Sequence, residues 1–144
     1  MKSLTTDGLR KSLSFKKKLF SVFNHILTTE QISDARHSLG VTEFVEMPDK
    51  LKQIWKQIPA DSESISRYLD PLKKWILANA AKEDIILVQG DFGATYLMVE
   101  FAFKHGLIPV YSTTYRQAAE SVQPDGRLKT EHIFKHQMFR KYGS

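Results

Sequence analysis

The sequence predicts an α/β fold: a mostly parallel sheet with helices on both faces and a C-terminal β-hairpin or extended arm. Three observations lead there. "DIILVQ" (84–89) is apolar at successive positions, as a central parallel strand covered on both sides must be. Short apolar runs alternate along the chain with segments whose apolar residues recur every three or four positions, the pattern of strand-helix-strand units joined by right-handed crossovers. Past about residue 118 that alternation stops, and "AESV" and "RLKTEHIFKHQMF" flank the turn signal "QPDG".

The elements follow in order. "LFSVF" (19–23) is the first strand. "TTEQISDARHSLG" is a capped helix: Thr28 stands three residues before Gln31, Ile32, Ala35 and Leu39 form its apolar stripe, and Gly40 stops it. "EFVEM" (43–47) is the second strand. After Pro48, Asp49 is the expected cap of a helix with Leu51, Ile54, Trp55 and Ile58 on one side, ended by Pro59. A short helix around Ile65–Leu69 precedes another that Asp70 caps and Pro71 opens, with Leu72, Trp75 and Ile76 as its buried stripe. The central strand leads into a helix through Leu97, Met98, Phe101 and Ala102 that stops at Gly106, and "LIPVYSTT" (107–114) is the last parallel strand. Together these units describe a Rossmann-like sheet.

With 144 residues and no cysteine, the chain suits one domain that needs no disulfide, and thiolate metal sites are excluded. Residues 16–144 are read as that domain, and residues 1–15 as a flexible basic extension. No apolar run reaches the length of about 20 residues that a membrane helix requires, and no secretory signal follows the basic N-terminus, so the expected location is the cytoplasm. The charge is uneven. Residues 1–18 carry Lys2, Arg10, Lys11, Lys16, Lys17 and Lys18 against Asp7, which equals the whole formal net charge of +5. Residues 127–144 hold a second basic group, Arg127, Lys129, Lys135, Arg140 and Lys141 against Glu131. Both ends read either as solvated surface or, at the C-terminal segment, as a seat for a polyanion.

In a sheet of this kind ligands bind beyond the carboxyl ends of the strands, where the connections diverge to opposite faces. Three loops are expected to meet there: "FNH" (23–25), "QGDFGATY" (89–96) and "STTYR" (112–116). From them Asn24, Gln89, Gly90, Phe92, Gly93, Thr95, Tyr96, Thr113 and Thr114 are the candidate ligand contacts, and Asp91, His25 and Arg116 the candidate catalytic groups. Their amides, hydroxyls, carboxylate, imidazole and guanidinium suit ribose and phosphate. Gly90 and Gly93 match neither the dinucleotide fingerprint nor the Walker A loop, and no lysine follows them, so an ordinary NTP site is excluded. Asp91 has two readings, a helix cap or an acceptor that orients or deprotonates a ribose 2′-hydroxyl. Phe92 and Tyr96 read as core or as base-stacking platforms. Arg116 reads as a phosphate clamp or as a partner of Glu120 one helical turn on, and His25 as a structural hydrogen bond or an acid–base group. His132 and His136 form H-x-x-x-H without the glutamate of a zinc protease, while His37 and His105 fall on helix surfaces. No metal and no cofactor are expected.

Three blocks, "FNHILTTEQISDARHSLGV", "LVQGDFGATYLMVEFAFKHGLIPVYSTTYR" and "HIFKHQMFRKY", resemble the small stand-alone CRISPR-associated proteins of type III loci, nearest to the family called Csx-twenty. The resemblance covers about residues 19–142, with "QGDFGATY" and "GLIPVY" followed by Thr113, Thr114 and Arg116 as its most specific parts. It implies a CARF-like homodimer that receives a cyclic oligoadenylate, cyclic tetra-adenylate being the expected ring, and a ring nuclease activity that destroys this second messenger. Cleavage by the RNA's own 2′-hydroxyl would leave a 2′,3′-cyclic phosphate and require no metal. Arg140 and Lys141 are expected to add phosphate contacts. Two alternatives remain: a non-catalytic sensor or sequestering module for the ring, and a nucleic-acid-binding regulator that works through the basic ends. The near-neutral remainder disfavours stable duplex binding.

Overall fold

The chain builds a five-stranded sheet from β1 (Lys18–Val22), β2 (Glu43–Glu46), β3 (Ile85–Val88), β4 (Ile108–Val122) and β5 (Leu128–Lys141), in the spatial order β2-β1-β3-β4-β5. The computed structural model describes residues 16–144, so the expected extension 1–15 lies outside the described residues. The β1–β2, β1–β3 and β3–β4 pairs are parallel, and β4–β5 is an antiparallel hairpin. β3 is central, as its unbroken apolar run requires: Ile85, Ile86, Leu87 and Val88 are all buried.

Strand alternation sorts the core into two halves. Leu19, Ile85, Leu87, Val110 and Phe139 pack on one side with Ala35 of helix α1 (Thr29–Leu39). Phe20, Val22, Ile86 and Val88 pack on the other with Leu51 and Trp55 of α2 (Asp49–Lys56), Leu72 and Ile76 of α3 (Asp70–Asn79), and Ala94, Met98 and Ala102 of α4 (Phe92–Lys104). The sheet is therefore covered on both faces.

Helix α1 has its full capping box. Thr28 Oγ1 accepts from the Gln31 N–H at 3.1 Å, Gln31 Oε1 accepts from the Thr28 N–H at 2.9 Å, and Gly40 closes the far end at φ 69°. Two expected caps shift by one residue. Pro48, not Asp49, is the N-cap of α2, and Leu69, not Asp70, is that of α3. In both cases the acidic side chain is the first helical residue, where it favours the positive end of the helix dipole without a capping bond. A 3₁₀ turn (Arg67–Leu69) runs straight into α3, which leaves no extended residue there to act as a side-chain cap.

The largest departure concerns "STTYR". It is not a loop. β4 continues unbroken to Val122, so the hairpin begins inside the sheet rather than near residue 118. Its strand residues from Thr114 to Val122 and from Leu128 to Lys135 are all exposed, so the ribbon projects off the body. The expected turn is present: the Gly126 N–H donates to the Gln123 carbonyl at 2.9 Å, with Gly126 at φ 82°. At the base of the ribbon, between Thr113 and Thr114, the register slips. Thr113 stands opposite Met138 but Thr114 opposite His136, so Gln137 is the extra residue of a β-bulge.

Candidate functional site

The connections diverge between β1 and β3. These strands are neighbours, with Val22 opposite Val88, and the Gln89 N–H donates to the Val22 carbonyl at 3.1 Å. β1 leads to α1 on one face and β3 leads to α4 on the other. The loops "FNH" and "QGDF" thus leave adjacent strands at the switch point, where open α/β sheets hold ligands.

On the α4 side, Asp91 is the N-cap, with Oδ2 accepting from the Ala94 N–H at 3.0 Å. Its second carboxylate oxygen is left for another partner. Gly90 has a packing reason to be glycine: a Cβ there would stand 2.8 Å from Trp55 Nε1, and that same nitrogen donates to the Gln89 carbonyl at 2.9 Å. Gly93 is looser: a Cβ there would come no nearer than 3.5 Å to an Asp91 carboxylate oxygen. Phe92 and Tyr96 are not core residues. They are 95% and 66% exposed, one turn apart on the first turns of α4. Thr95 Oγ1 is buried with no hydrogen-bond partner. From the hairpin, Arg140 Nη1 donates to the Tyr111 hydroxyl at 2.9 Å and its guanidinium lies 5.6 Å from that ring's centre. The Tyr142 hydroxyl donates to the Val88 carbonyl at 2.6 Å, and burial, with Tyr111 nearby, pushes its pKa up.

The α1 side holds a group of residues that no local motif announced. Gln89 Oε1 accepts from the Ser112 N–H at 2.8 Å, which ties the end of β3 to β4. The Ser112 hydroxyl lies 2.6 Å from His136 Nδ1, and His136 Nε2 lies 2.7 Å from Asp34 Oδ2. Gln31 Nε2 donates to the Ser112 hydroxyl at 3.4 Å. Because a carboxylate only accepts, Nε2 bears the proton, and in the neutral ring Nδ1 then accepts from the Ser112 O–H. The His136 side chain is 5% exposed and that of Asp34 22%. Burial alone would raise the Asp34 pKa. The hydrogen bonds from Ser38 and His136, with the charges of His136 and His37, outweigh it and hold this carboxyl below its ordinary value of 3.8.

The bulge makes this arrangement. With an unbroken register Gln137 would stand opposite Thr114, and His136 would turn to the α4 side of the ribbon. His136 therefore meets a carboxylate after all, supplied from α1 rather than from nearby sequence. Among the described residues, no group of three or more His, Cys, Asp or Glu side chains is placed to hold a metal ion.

The structure splits the remaining candidates. Thr113 is occupied, its hydroxyl donating to the Met138 carbonyl and accepting from the Met138 N–H, both at 3.2 Å. Thr114 and Arg116 fall by alternation on the α1 side with His136, and Arg116 stands opposite Phe134. A strand position four residues from Glu120 removes the helical pairing considered for Arg116. Lys141 stands opposite Val110 at the root of the hairpin. Asn24 and His25 line a separate cleft over β1 and β2 with Glu46, Lys52 and Lys56, and the His25 ring meets Phe23 edge-on at 5.2 Å.

The fold defines a Rossmann-like α/β protein whose β1 and β3 connections part to opposite faces at a topological switch point. The chain belongs to the family described as Uncharacterized protein MJ1673, which it matches over residues 17–140. It is 48% identical over 125 residues to the Uncharacterized protein MJ1673 of Methanocaldococcus jannaschii, covering 87% of this chain and 96% of that relative. No solved structure matches the chain. Among the described residues, no helix is long and apolar enough to cross a membrane.

Proposed function

We propose that the protein is a ring nuclease of the type III CRISPR response, which binds a cyclic oligoadenylate as a homodimer and opens it by attack of a ribose 2′-hydroxyl on the adjoining phosphate. The observation that favours this most is the pair of exposed rings, Phe92 and Tyr96, on the helix that leaves the switch point. Large apolar rings left in water beside a polar ligand mouth suit the stacking of bases. Asp91 offers an acceptor for ribose, and Arg140 brings positive charge from the hairpin to phosphate on the same side of the sheet. Two copies of such a site across a dimer axis match the symmetry of cyclic tetra-adenylate. The resemblance of the quoted blocks to the Csx-twenty proteins supplies the substrate class.

The sensor reading has one observation of its own, since the Asp91 carboxylate already serves as a helix cap. Incubating the purified protein with cyclic tetra-adenylate and chromatographing the products separates the two. Linear product with a 2′,3′-cyclic phosphate, formed also in excess EDTA, is the expected result. An intact but retained ring makes the protein a sensor, and no interaction overturns both readings.

A further inference from the structure

We infer that Ser112, His136 and Asp34 are the proton relay of this site, with Ser112 the group that touches the reacting 2′-hydroxyl. The inference rests on the ring nuclease reading for its substrate and on three features of the structure for its residues. First, the two contacts, 2.6 Å from Ser112 Oγ to His136 Nδ1 and 2.7 Å from His136 Nε2 to Asp34 Oδ2, form one continuous chain whose proton positions follow from the carboxylate end. Second, the chain ends beside the turn after β3, at a serine that is 7% exposed. β3 and β4 stay in register through Leu87 and Val110, which puts Ser112 level with Gln89, and a 2.8 Å hydrogen bond joins the two residues. Third, the arrangement depends on a β-bulge that turns His136 toward α1, a feature over-represented beside active sites.

The step balances without a co-reactant. The 2′-hydroxyl gives its proton to Ser112 Oγ as the Ser112 O–H proton passes to His136 Nδ1. The 2′-oxygen forms its bond to phosphorus, and the bond from phosphorus to the 5′-oxygen breaks. The departing 5′-oxygen, on the opposite side of phosphorus, takes a proton from solvent water, and the imidazolium, held against Asp34, releases its own to solvent. Asp34 touches no substrate and is a positioning residue. The charged and titratable groups around His136 are Glu30, Asp34 and His37 from α1, and Arg116 and Lys135 from the hairpin.

The test is cleavage of cyclic tetra-adenylate by the full chain, followed against pH. Ser112→Ala and His136→Gln should each slow ring opening by about a hundredfold, the usual scale for losing acid–base help, while the ring still binds. Asp34→Asn keeps an acceptor for Nε2–H but removes the charge. It should shift the rising limb of rate against pH to lower pH, because an imidazolium without its counter-charge gives up its proton sooner. A purely structural role for Asp34 would lower the rate at every pH without moving the limb, and would overturn the relay. Wild-type rates in folded Ser112→Ala would also overturn it while leaving the ring nuclease reading intact. A wild-type protein that neither binds nor cuts the ring removes that reading and the relay together.

Discussion

The two sides of the sheet's carboxyl end differ in how their polar groups are used. On the α4 side the backbone is tightly constrained, Gly90 against Trp55 and Asp91 over the helix N-terminus, and the side chains turned outward are two exposed aromatic rings. On the α1 side the side chains themselves are linked, from Gln89 through Ser112 and His136 to Asp34 and Ser38. One side presents two exposed flat rings, and the other a continuous chain of hydrogen bonds. Under the proposed function this contrast separates holding from reacting, and each half can be broken alone.

The largest expected effect falls on the rigid α4 side. Trp55→Ala removes a 1% exposed indole from the core together with its hydrogen bond to Gln89, and should cost about 3–5 kcal/mol, read as a fall in melting temperature. Gly90→Ala should cost about 1–3 kcal/mol by overpacking, since the new methyl would meet the same indole from the other side. A melting temperature unchanged in both variants would mean that the Trp55 contact does not hold this turn.

Next comes the α1 side, where acid is the probe. Asp34 has a folded pKa below its ordinary 3.8, so it contributes stability that is present above that value and is lost as pH falls through the folded pKa. Thermal denaturation of the wild type should therefore steepen in its pH dependence below about pH 4, and Asp34→Asn should flatten that part of the curve. Identical acid limbs in the two proteins would break the pairing of Asp34 with His136 and Ser38.

Much of the fold was legible because its signals are local. The Thr28–Gln31 box, Gly40 and the run 85–88 each lie within a few residues, where propensity and capping act directly. Half of the candidate site was legible for the same reason: Asp91 as a cap and a turn over the central strand need nothing beyond one segment. The hydrogen-bonded chain Ser112–His136–Asp34 was not, since its bonds span 24 and 102 residues and depend on the single-residue bulge at Gln137. No periodicity in "HIFKHQMF" distinguishes the register that brings His136 to Asp34 from the one that turns it away. Phe92 and Tyr96 failed differently. Aromatic residues in an apolar helix read as core, but these two take the outer face of the first turns, while Ala94 and Met98 take the buried one.

A smaller effect tests those rings as the holding half of the site. Phe92→Ala removes a side chain that is 95% exposed, so the melting temperature should stay within the range of a surface substitution, about 0.5 kcal/mol. Stacking of one base on an aromatic ring is worth about 1–3 kcal/mol, so affinity for cyclic tetra-adenylate should fall at least fivefold in equilibrium binding. Full affinity in this variant would move the base platform elsewhere.

The smallest expected effect is the most discriminating between the two sides. Asp91→Asn keeps a side-chain oxygen for the Ala94 N–H, so the α4 cap survives and stability should change by only a few tenths of a kcal/mol, whereas Asp91→Ala should lose about 1 kcal/mol. If protons move through Ser112 and His136, the Asn variant should also open the ring within a few-fold of the wild-type rate, because Asp91 then only orients the ribose. If the Asp91 carboxylate is the base instead, the same variant should fold normally and slow by about a hundredfold. Rates for Asp91→Asn and Ser112→Ala, measured in one experiment on proteins of matched melting temperature, therefore assign the reacting proton to one side of the sheet. A hundredfold loss in both variants would mean that the Asp91 carboxylate does more than orient the ribose and that the proton is not carried by Ser112 and His136 alone.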